Sequence, residues 1–239
     1  MKIIITQLFF FITIGVYSQE TSLLDSVLGQ LNLKKSKIKT ELVVFKSFPN
    51  NLNETIIVIP EIVDEGEMYF ELNSHILIVD SKSGNIKSYF FESSKTNNWI
   101  SDAIQLTEIT IDTAPYKVSK NERAFGIRLH FIGSSRPNPY ENEIISLFVQ
   151  SKNKLKKILN NYEISYNGGE WDTNCEGKFV DERKVLIISN NKTNGLFDIL
   201  VKNKISETTN YINENGECNY IEKNKTKKKS LKFNGYEYK

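Results

Sequence analysis

The residues with the clearest chemical potential lie in one short segment, Gly168–Cys175, which reads Gly-Gly-Glu-Trp-Asp-Thr-Asn-Cys. Its carboxylates, Glu170 and Asp172, could act with Glu176 and Asp181 as calcium ligands, or as the acid and base of a glycosidase. The Asp-x-Asp-x-Asn spacing of a calcium loop is absent, and any chain with 29 Asp and Glu residues offers carboxylate pairs. The sequence therefore favours a solvated acidic loop and predicts no metal site.

Nucleophilic catalysis would need a base beside a serine or a cysteine. The chain has two histidines, His75 and His130, and the pair considered is His130 with Ser134, four residues further along the chain. The surrounding Gly-Ser-Ser segment lacks the Gly-x-Ser-x-Gly frame of a nucleophile elbow. We therefore predict no catalytic residue and no cofactor.

Recognition is the chemistry that fits the remaining residues. The segment 167–176 combines an indole with several polar side chains, and the segment 133–140 contains two prolines that keep it out of a strand ladder. Aromatic and charged side chains on rigid loops are typical of binding surfaces. The candidate binding residues in these two loops are Trp171, Asp172, Glu170, Asn174, Arg136 and Tyr140. For the indole, packing against a disulfide in the core is an equally open alternative.

The two cysteines, Cys175 and Cys218, are predicted to form a disulfide, since an even pair in an oxidising compartment is usually bonded. The spacing is not that of a Cys-x-x-Cys redox motif, and no histidine is close in the sequence. We expect a hairpin between strands Leu196–Val201 and Ile205–Ile212 to bring the cysteines to one end of a sheet.

These residues must be positioned by a mainly β fold. Apolar residues at helical spacing predict a short N-terminal helix to about Leu33, packed over a sheet end. From Glu41 onward the apolar residues alternate, in short runs bounded by turn residues. The runs form an antiparallel meander in sets of about four strands, over 55–92, 104–160 and 162–212. The predicted strands are 42–48, 55–59, 68–72, 75–79, 86–91, 104–112, 124–132, 144–149, 155–159, 185–189, 196–201, 205–212, 230–233 and 236–238.

Two segments carry a resemblance to a known family. Residues 194–201, Asn-Gly-Leu-Phe-Asp-Ile-Leu-Val, resemble the Gly-x-x-Asp-apolar-apolar-Val strand of FG-GAP-type β-propeller repeats. Residues 233–238, Phe-Asn-Gly-Tyr-Glu-Tyr, resemble a closing strand of similar secreted bacterial proteins. The resemblance implies four-stranded, propeller-like blades, but the family's Phe-Gly-Gly-Ala-Pro and Asp-x-Asp-x-Asp-Gly motifs are absent. About three blades cannot close a propeller, so open twisted sheets or a two-sheet sandwich remain alternatives.

The N-terminus has the pattern of a bacterial secretory signal peptide. Lys2 precedes an apolar run to Gly15, and the small residue Ser18 suits a cleavage site. The run is shorter than the ~20 residues that span a bilayer, and no cysteine lies at the cut to carry a lipid anchor. We therefore expect a secreted or periplasmic protein without a transmembrane segment in the mature chain. The predicted organisation is a signal peptide at 1–18, a helical segment at 19–40 and a β domain at 41–239.

The charge balance argues against nucleic-acid binding, because a net charge of +2 is too small to neutralise many phosphates. One basic run, Lys223–Lys232, stands out. We interpret it as a solvated strand edge, where lysines discourage edge-to-edge pairing.

Two functions remain after these exclusions. The first is an exported, non-catalytic binding protein that presents loops 133–140 and 167–176 to an unknown protein or glycan of the cell envelope. The second is an exported hydrolase of glycan or peptide, with two carboxylates in one cleft and the pKa of one of them raised.

Overall fold

The computed structural model describes residues 20–49 and 51–239. The predicted signal peptide, residues 1–18, lies outside this range. Strands make up 67% of the chain, which confirms the mainly β fold with a short N-terminal helix. The helix α1 covers residues 20–31, and two short 3₁₀ helices follow at Lys35–Lys37 and Thr40–Leu42.

Twelve strands and one further short helix complete the fold. The strands are β1 (Val44–Phe48), β2 (Asn51–Glu65), β3 (Phe70–Asp80), β4 (Ile86–Glu92), β5 (Ile100–Ser101), β6 (Ile104–Lys117), β7 (Arg123–Gly133), β8 (Tyr140–Ser151), β9 (Lys154–Trp171), β10 (Gly177–Thr193), β11 (Leu196–Ile212) and β12 (Cys218–Leu231). The helix α2 (Ser94–Asn97) lies between β4 and β5.

All twelve strands belong to one sheet, and part of it curls into a nearly closed, barrel-like part. This part consists of two antiparallel meanders, β1 to β4 and β6 to β9, which overlap the first two predicted sets. However, β1 lies before the first set, and β9 continues through the predicted boundary at 160–162. A single parallel bridge between Tyr89 and Lys154 joins β4 to β9. On the other side, the Lys46 Nζ donates to the main-chain oxygen of Ile111 at 2.8 Å, which links β1 to β6.

Alternation along the strands explains why the barrel-like part encloses a core. Side chains two residues apart, such as Ile56 and Val58, point to the same face of a strand and are fully buried inside. Four phenylalanines extend through this interior, with ring centroids 5.2 to 5.8 Å apart. They are Phe48, Phe125, Phe148 and Phe90.

The helix α1 covers the outer face of β2 and β3. Its residues Leu24, Val27 and Leu28 pack against Ile57 and Leu77, whose side chains point outward from the same strands. Both faces of these strands are therefore buried, as their nearly continuous apolar sequence requires.

The C-terminal strands extend the sheet beyond the barrel-like part. We call the last seven residues of β9 (Ser165–Trp171), with β10, β11 and β12, the sheet extension. Part of it packs Ile199, Val201 and Leu231 against the outer face of β7 and β8 in a second core. Farther along, most residues of β10 and β11 are half-buried, and β12 is exposed over all its residues except Leu231. The basic run Lys223–Lys232 thus lies mainly on the strand at the sheet edge.

Two predicted strand breaks are wrong. The segments 68–72 and 75–79 belong mostly to one strand, β3, and the segments 196–201 and 205–212 form the single strand β11. The polar triplet Lys202-Asn203-Lys204 was interpreted as a turn, but it pairs in register with β10 and β12. Lys204 is exposed, and the half-buried Asn203 donates from its side chain to the Glu182 Oε2 at 2.8 Å, so these polar residues are accommodated in mid-strand. The predicted strand 236–238 is reduced to one bridge between Phe233 and Tyr238.

Candidate functional site

The two loops singled out in the sequence lie in contact at one end of the sheet extension. The main-chain N–H of Gly169 donates to the oxygen of Pro139 at 3.2 Å, and that of Trp171 donates to the oxygen of Pro137 at 3.0 Å. The indole Nε1–H of Trp171 donates to the oxygen of Arg136 at 2.7 Å. Residues 136–139 therefore continue the pairing of β8 along β9 rather than forming a separate loop.

The predicted loop 167–176 is wrong over its first half, because residues 167–171 are the end of β9. Gly168 and Gly169 fall within the predicted loop, but both residues pair with β10. A Cβ at Gly169 would lie 2.4 Å from the main-chain oxygen of Lys178, and one at Gly168 would lie 2.4 Å from the Tyr166 Oη. Glycine is therefore needed at 169, where a Cβ would meet backbone, whereas a Cβ at 168 would require the Tyr166 side chain to move. Only residues 172–176 form the turn.

The candidate residues lie on opposite faces of this strand end. Trp171 is half-buried, with its ring 6.3 Å from that of Phe179 on one face. Tyr140 packs 5.8 Å from Tyr166 on the other face. Alternation along β9 places the exposed Glu170 on the face opposite Trp171. The indole therefore fastens loop 134–139 to β9, and it is not buried against the disulfide in a core.

The turn 172–176 is stabilised by its first residue. The Asp172 Oδ1 accepts the main-chain N–H groups of Asn174 at 2.9 Å and Cys175 at 2.8 Å. These bonds hold the pKa of the Asp172 carboxyl below its usual value, so it is ionised at neutral pH. Asn174 itself is exposed at the turn. Asp172 is thus a structural cap, and the solvent-facing polar groups are its neighbours.

The predicted Cys175–Cys218 disulfide is confirmed, with Cα atoms 5.7 Å apart. The route to it differs from the expected hairpin, because β11 is continuous. Gly177 pairs with Asn210, and Ile212 pairs with Cys218, so two successive hairpin turns lie side by side. The disulfide joins the turn 172–176 to the start of β12 across the end of β11.

Three segments therefore form one connected surface, residues 134–139, 170–176 and 213–218, which we call the sheet tip. It carries five carboxylates and one guanidinium, a net charge of −4 on a chain whose net charge is +2. Its acidic residues are Glu170, Asp172, Glu176, Glu214 and Glu217, and its basic residue is Arg136. The sequence did not assign 213–217 to this surface, although Asn-Gly at 215–216 is a hairpin signal.

Metal binding and acid–base catalysis gain no support from the described residues. No group of three or more His, Cys, Asp or Glu side chains in residues 20–49 and 51–239 is arranged to hold a metal ion. Within the same ranges, every carboxyl whose pKa departs from its usual value has a lowered pKa, whereas a glycosidase acid needs a raised one. These carboxyls are Glu41, Glu61, Asp80, Asp112, Asp172, Glu182 and Glu207.

One buried histidine belongs to a polar network that the sequence did not predict. The Nε2 of His75 lies 3.1 Å from the Glu61 Oε2, and its Nδ1 lies 2.7 Å from the Tyr89 hydroxyl. The Nε2–H donates to the carboxylate, so the Nδ1 of the neutral ring accepts from Tyr89. Burial lowers the pKa of His75, against the opposing effect of Glu61. Burial also raises the pKa of Tyr89 to about 12.

A second candidate site lies where β7 begins and β8 ends, at an open end of the barrel-like part. A cavity of about 300 Å³ is lined by Phe48, Ile78 and Phe125 together with polar residues. The polar lining residues are Asn51, Glu54, Asn121, Glu122, Arg123 and Gln150. The sequence analysis missed this site. A pattern in the sequence could have indicated it: at the end of a strand, a charged or amide residue lies two positions from an inward-facing apolar residue.

No helix in the described part of the chain is long and apolar enough to cross a bilayer. A scan against protein-family models, a search of curated proteins and a search of solved structures each find no match to this chain. The resemblance of residues 194–201 and 233–238 to FG-GAP repeats therefore stays a prediction from the sequence.

Proposed function

We propose that this chain is an exported, non-catalytic binding protein and that the sheet tip is its recognition surface. The observation that carries the proposal is the way in which the three segments of the tip are fastened together. Main-chain and indole hydrogen bonds tie loop 134–139 to β9, and the Cys175–Cys218 disulfide ties the turn 172–176 to β12.

Fastening of this kind lowers the cost of binding. A loop that is ordered before it meets a partner loses less conformational entropy on association. The disulfide also fits export, because such bonds persist in oxidising compartments. A rigid, exposed surface at the end of a sheet is thus better suited to recognition than to chemistry.

The charge of the tip favours a basic partner. Glu170, Glu176 and Glu214 are exposed, and only Arg136 carries a positive charge on this surface. Complementary charge speeds the encounter of two proteins and rejects partners of like sign. We therefore propose a protein of the cell envelope that presents a basic surface as the partner.

Charge reversal at the tip tests this function. The double variant Glu170→Lys/Glu176→Lys inverts charge on both sides of the turn, and the matched control Glu67→Lys/Glu108→Lys makes the same change on exposed residues of the barrel-like part. Wild type and both variants, purified from the exported fraction, are immobilised and incubated with envelope extract. The mass of each purified chain shows whether it begins at Gln19.

We expect a protein retained by the wild type and the control but lost by the tip variant, with retention weakened by salt. Equal retention by all three proteins would exclude the tip as the recognition surface. An intact Met1 in the exported fraction would contradict removal of a signal peptide.

A further inference from the structure

The cavity at the open end of the barrel-like part has the construction of a ligand site. Side chains two residues apart on a strand share a face, so the inward-facing positions can be followed toward this end. On three strands they change from apolar to polar as they reach it. The series are Val58, Ile56 and Glu54 on β2, then Ile127, Phe125 and Arg123 on β7, then Phe148 and Gln150 on β8.

This change has a physical consequence. A sealed interior would continue with apolar side chains to its end, because an unpaired polar group is costly to bury. Here the polar residues surround an opening of about 300 Å³ above Phe125 and Ile78. That volume lies within the range of small-molecule pockets. Phe48 is half-buried and presents ring surface to the opening.

The polar side chains around the opening differ in how many of their donors and acceptors have partners in the protein. The Glu54 Oε1 accepts from the Lys87 Nζ at 3.1 Å, and the Gln150 Nε2 donates to the Ser88 Oγ at 2.9 Å. The half-buried Arg123 donates from its Nη2 to the main-chain oxygen of Thr113 at 2.6 Å. In the described residues, the arginines that form ion pairs are Arg128 and Arg183, so Arg123 has no carboxylate partner there.

We propose that this cavity binds a small organic monocarboxylate, with its carboxylate on Arg123 and its apolar body against Phe48. A guanidinium offers five N–H donors, and Arg123 uses one group on a carbonyl, which leaves donors for a carboxylate. Glu54, which is paired with Lys87, and Glu122 line the same opening, so a doubly charged anion would be repelled there more strongly than a singly charged one. The aliphatic parts of Arg123 and Gln150 add to the surface against which an apolar body packs.

This site lies apart from the sheet tip, and it does not depend on the proposed function. A ligand that enters here would make the protein a carrier or a sensor of small acids in addition to a partner of another protein. The two proposals therefore fail or succeed in separate experiments.

The test is an NMR titration of the purified protein with 3-phenylpropionate and with hexanoate, each compared with its uncharged amide. We expect both carboxylates to shift the amide resonances of residues 48, 78, 123, 125 and 150, and each amide to bind at least about tenfold more weakly. Arg123→Gln should weaken the carboxylates by a similar factor, whereas Arg123→Lys should restore part of the loss. The control Arg183→Gln, at an exposed arginine of β10 outside both proposed sites, should leave carboxylate binding unchanged.

Several results would overturn the proposal. If neither carboxylate shifts these resonances up to about 10 mM, the dissociation constant lies above that concentration. Such binding is too weak for a specific site, since even a Kd of about 1 mM corresponds to a small binding free energy. Equal binding of acid and amide would show that Arg123 does not bind the carboxylate. Shifts centred on other residues would show that the ligand does not bind in the cavity. The comparison of acid with amide uses the wild type alone, so it stands even if a variant fails to fold.

Discussion

The barrel-like part and the sheet extension are both made of long antiparallel strands, but they bury their side chains differently. In the barrel-like part, inward-facing residues such as Ile56 and Phe125 are almost fully buried. In the extension, Val185 on β10 and Ile221 on β12 are more exposed than buried. The first region is stabilised mainly by its apolar interior. In the extension, close apolar packing is confined to the second core around Ile199, Val201 and Leu231, so the part nearer the sheet tip must be held by other interactions.

Those other interactions are ion pairs, strand hydrogen bonds and one covalent bond. The Lys184 Nζ lies 2.7 Å from the Glu163 Oε1, and Lys225 pairs with Glu207 across β11 and β12. Exposed ion pairs contribute little to stability, so the disulfide has a large share in holding the extension together. The surface proposed for binding therefore lies on the region with less apolar burial, which we expect to open more readily than the barrel-like part.

The largest effect that we expect is on the free energy of unfolding, when an apolar side chain is truncated in a strand of each region. Phe148→Ala removes a ring that is 2% exposed and contacts two other phenylalanines, so we expect it to lower the free energy of unfolding by about 3–5 kcal/mol. Val185→Ala, at a position 56% exposed, should cost less than about 1 kcal/mol. Denaturant unfolding of both variants measures the difference, and equal costs would mean that the extension hides an apolar contact of its own.

The second prediction removes the disulfide. Cys218→Ser opens a covalent loop of 43 residues, for which the chain-entropy model gives about 4 kcal/mol, within the usual range of 2–5 kcal/mol. We expect the loss to be local. Hydrogen exchange should accelerate at the ends of β10, β11 and β12 near the sheet tip, while the amides of β2, β3 and β7 keep their protection.

Reduced wild-type protein is the matched control for this variant, because it loses the bond without losing the side chain. It should show the same local pattern of exchange. Faster exchange throughout the barrel-like part would contradict the comparison, since it would show that the two regions unfold as one unit.

The barrel-like part was the easier region to predict from sequence. Alternating apolar residues such as those at 124–132 give the inward face directly, and the helix α1 was evident from the spacing of Leu24, Val27 and Leu28. In the extension this signal is interrupted, because the polar Asn203 lies on the same face of β11 as the buried Val201 and Ile205. The polar residues at 202–204 were for that reason interpreted as a turn, although they lie in the middle of β11.

The candidate site was predicted in part. The disulfide was anticipated from the even pair of cysteines, but the sequence left open whether loops 133–140 and 167–176 meet. The bond from the Trp171 indole to Arg136 could not, because it depends on how far β9 continues beyond its pairing with β8. The cavity with Arg123 was missed for a similar reason, since it forms only where strands distant in sequence close into a barrel-like shape.

The smallest predicted effect concerns pH and the buried His75 on the outer face of the barrel-like part. Burial lowers its pKa in the folded protein, whereas the unfolded chain titrates near pH 6.5. Below about pH 6.5 the unfolded state therefore binds more protons, so stability rises with pH through this window and falls as the solution is acidified.

For Glu61, burial acts to raise the pKa, but hydrogen bonds from Asn73 and His75 outweigh it. Its stabilising contribution is therefore lost only at a more acidic pH. His75→Gln cannot titrate and should flatten the dependence of the unfolding free energy on pH below about pH 6.5, where the unfolded chain protonates the imidazole. Tyr89→Phe keeps the imidazole and should retain the slope. Denaturant unfolding at a series of pH values measures both, and a slope unchanged by His75→Gln would place the acid-sensitive group elsewhere in the molecule.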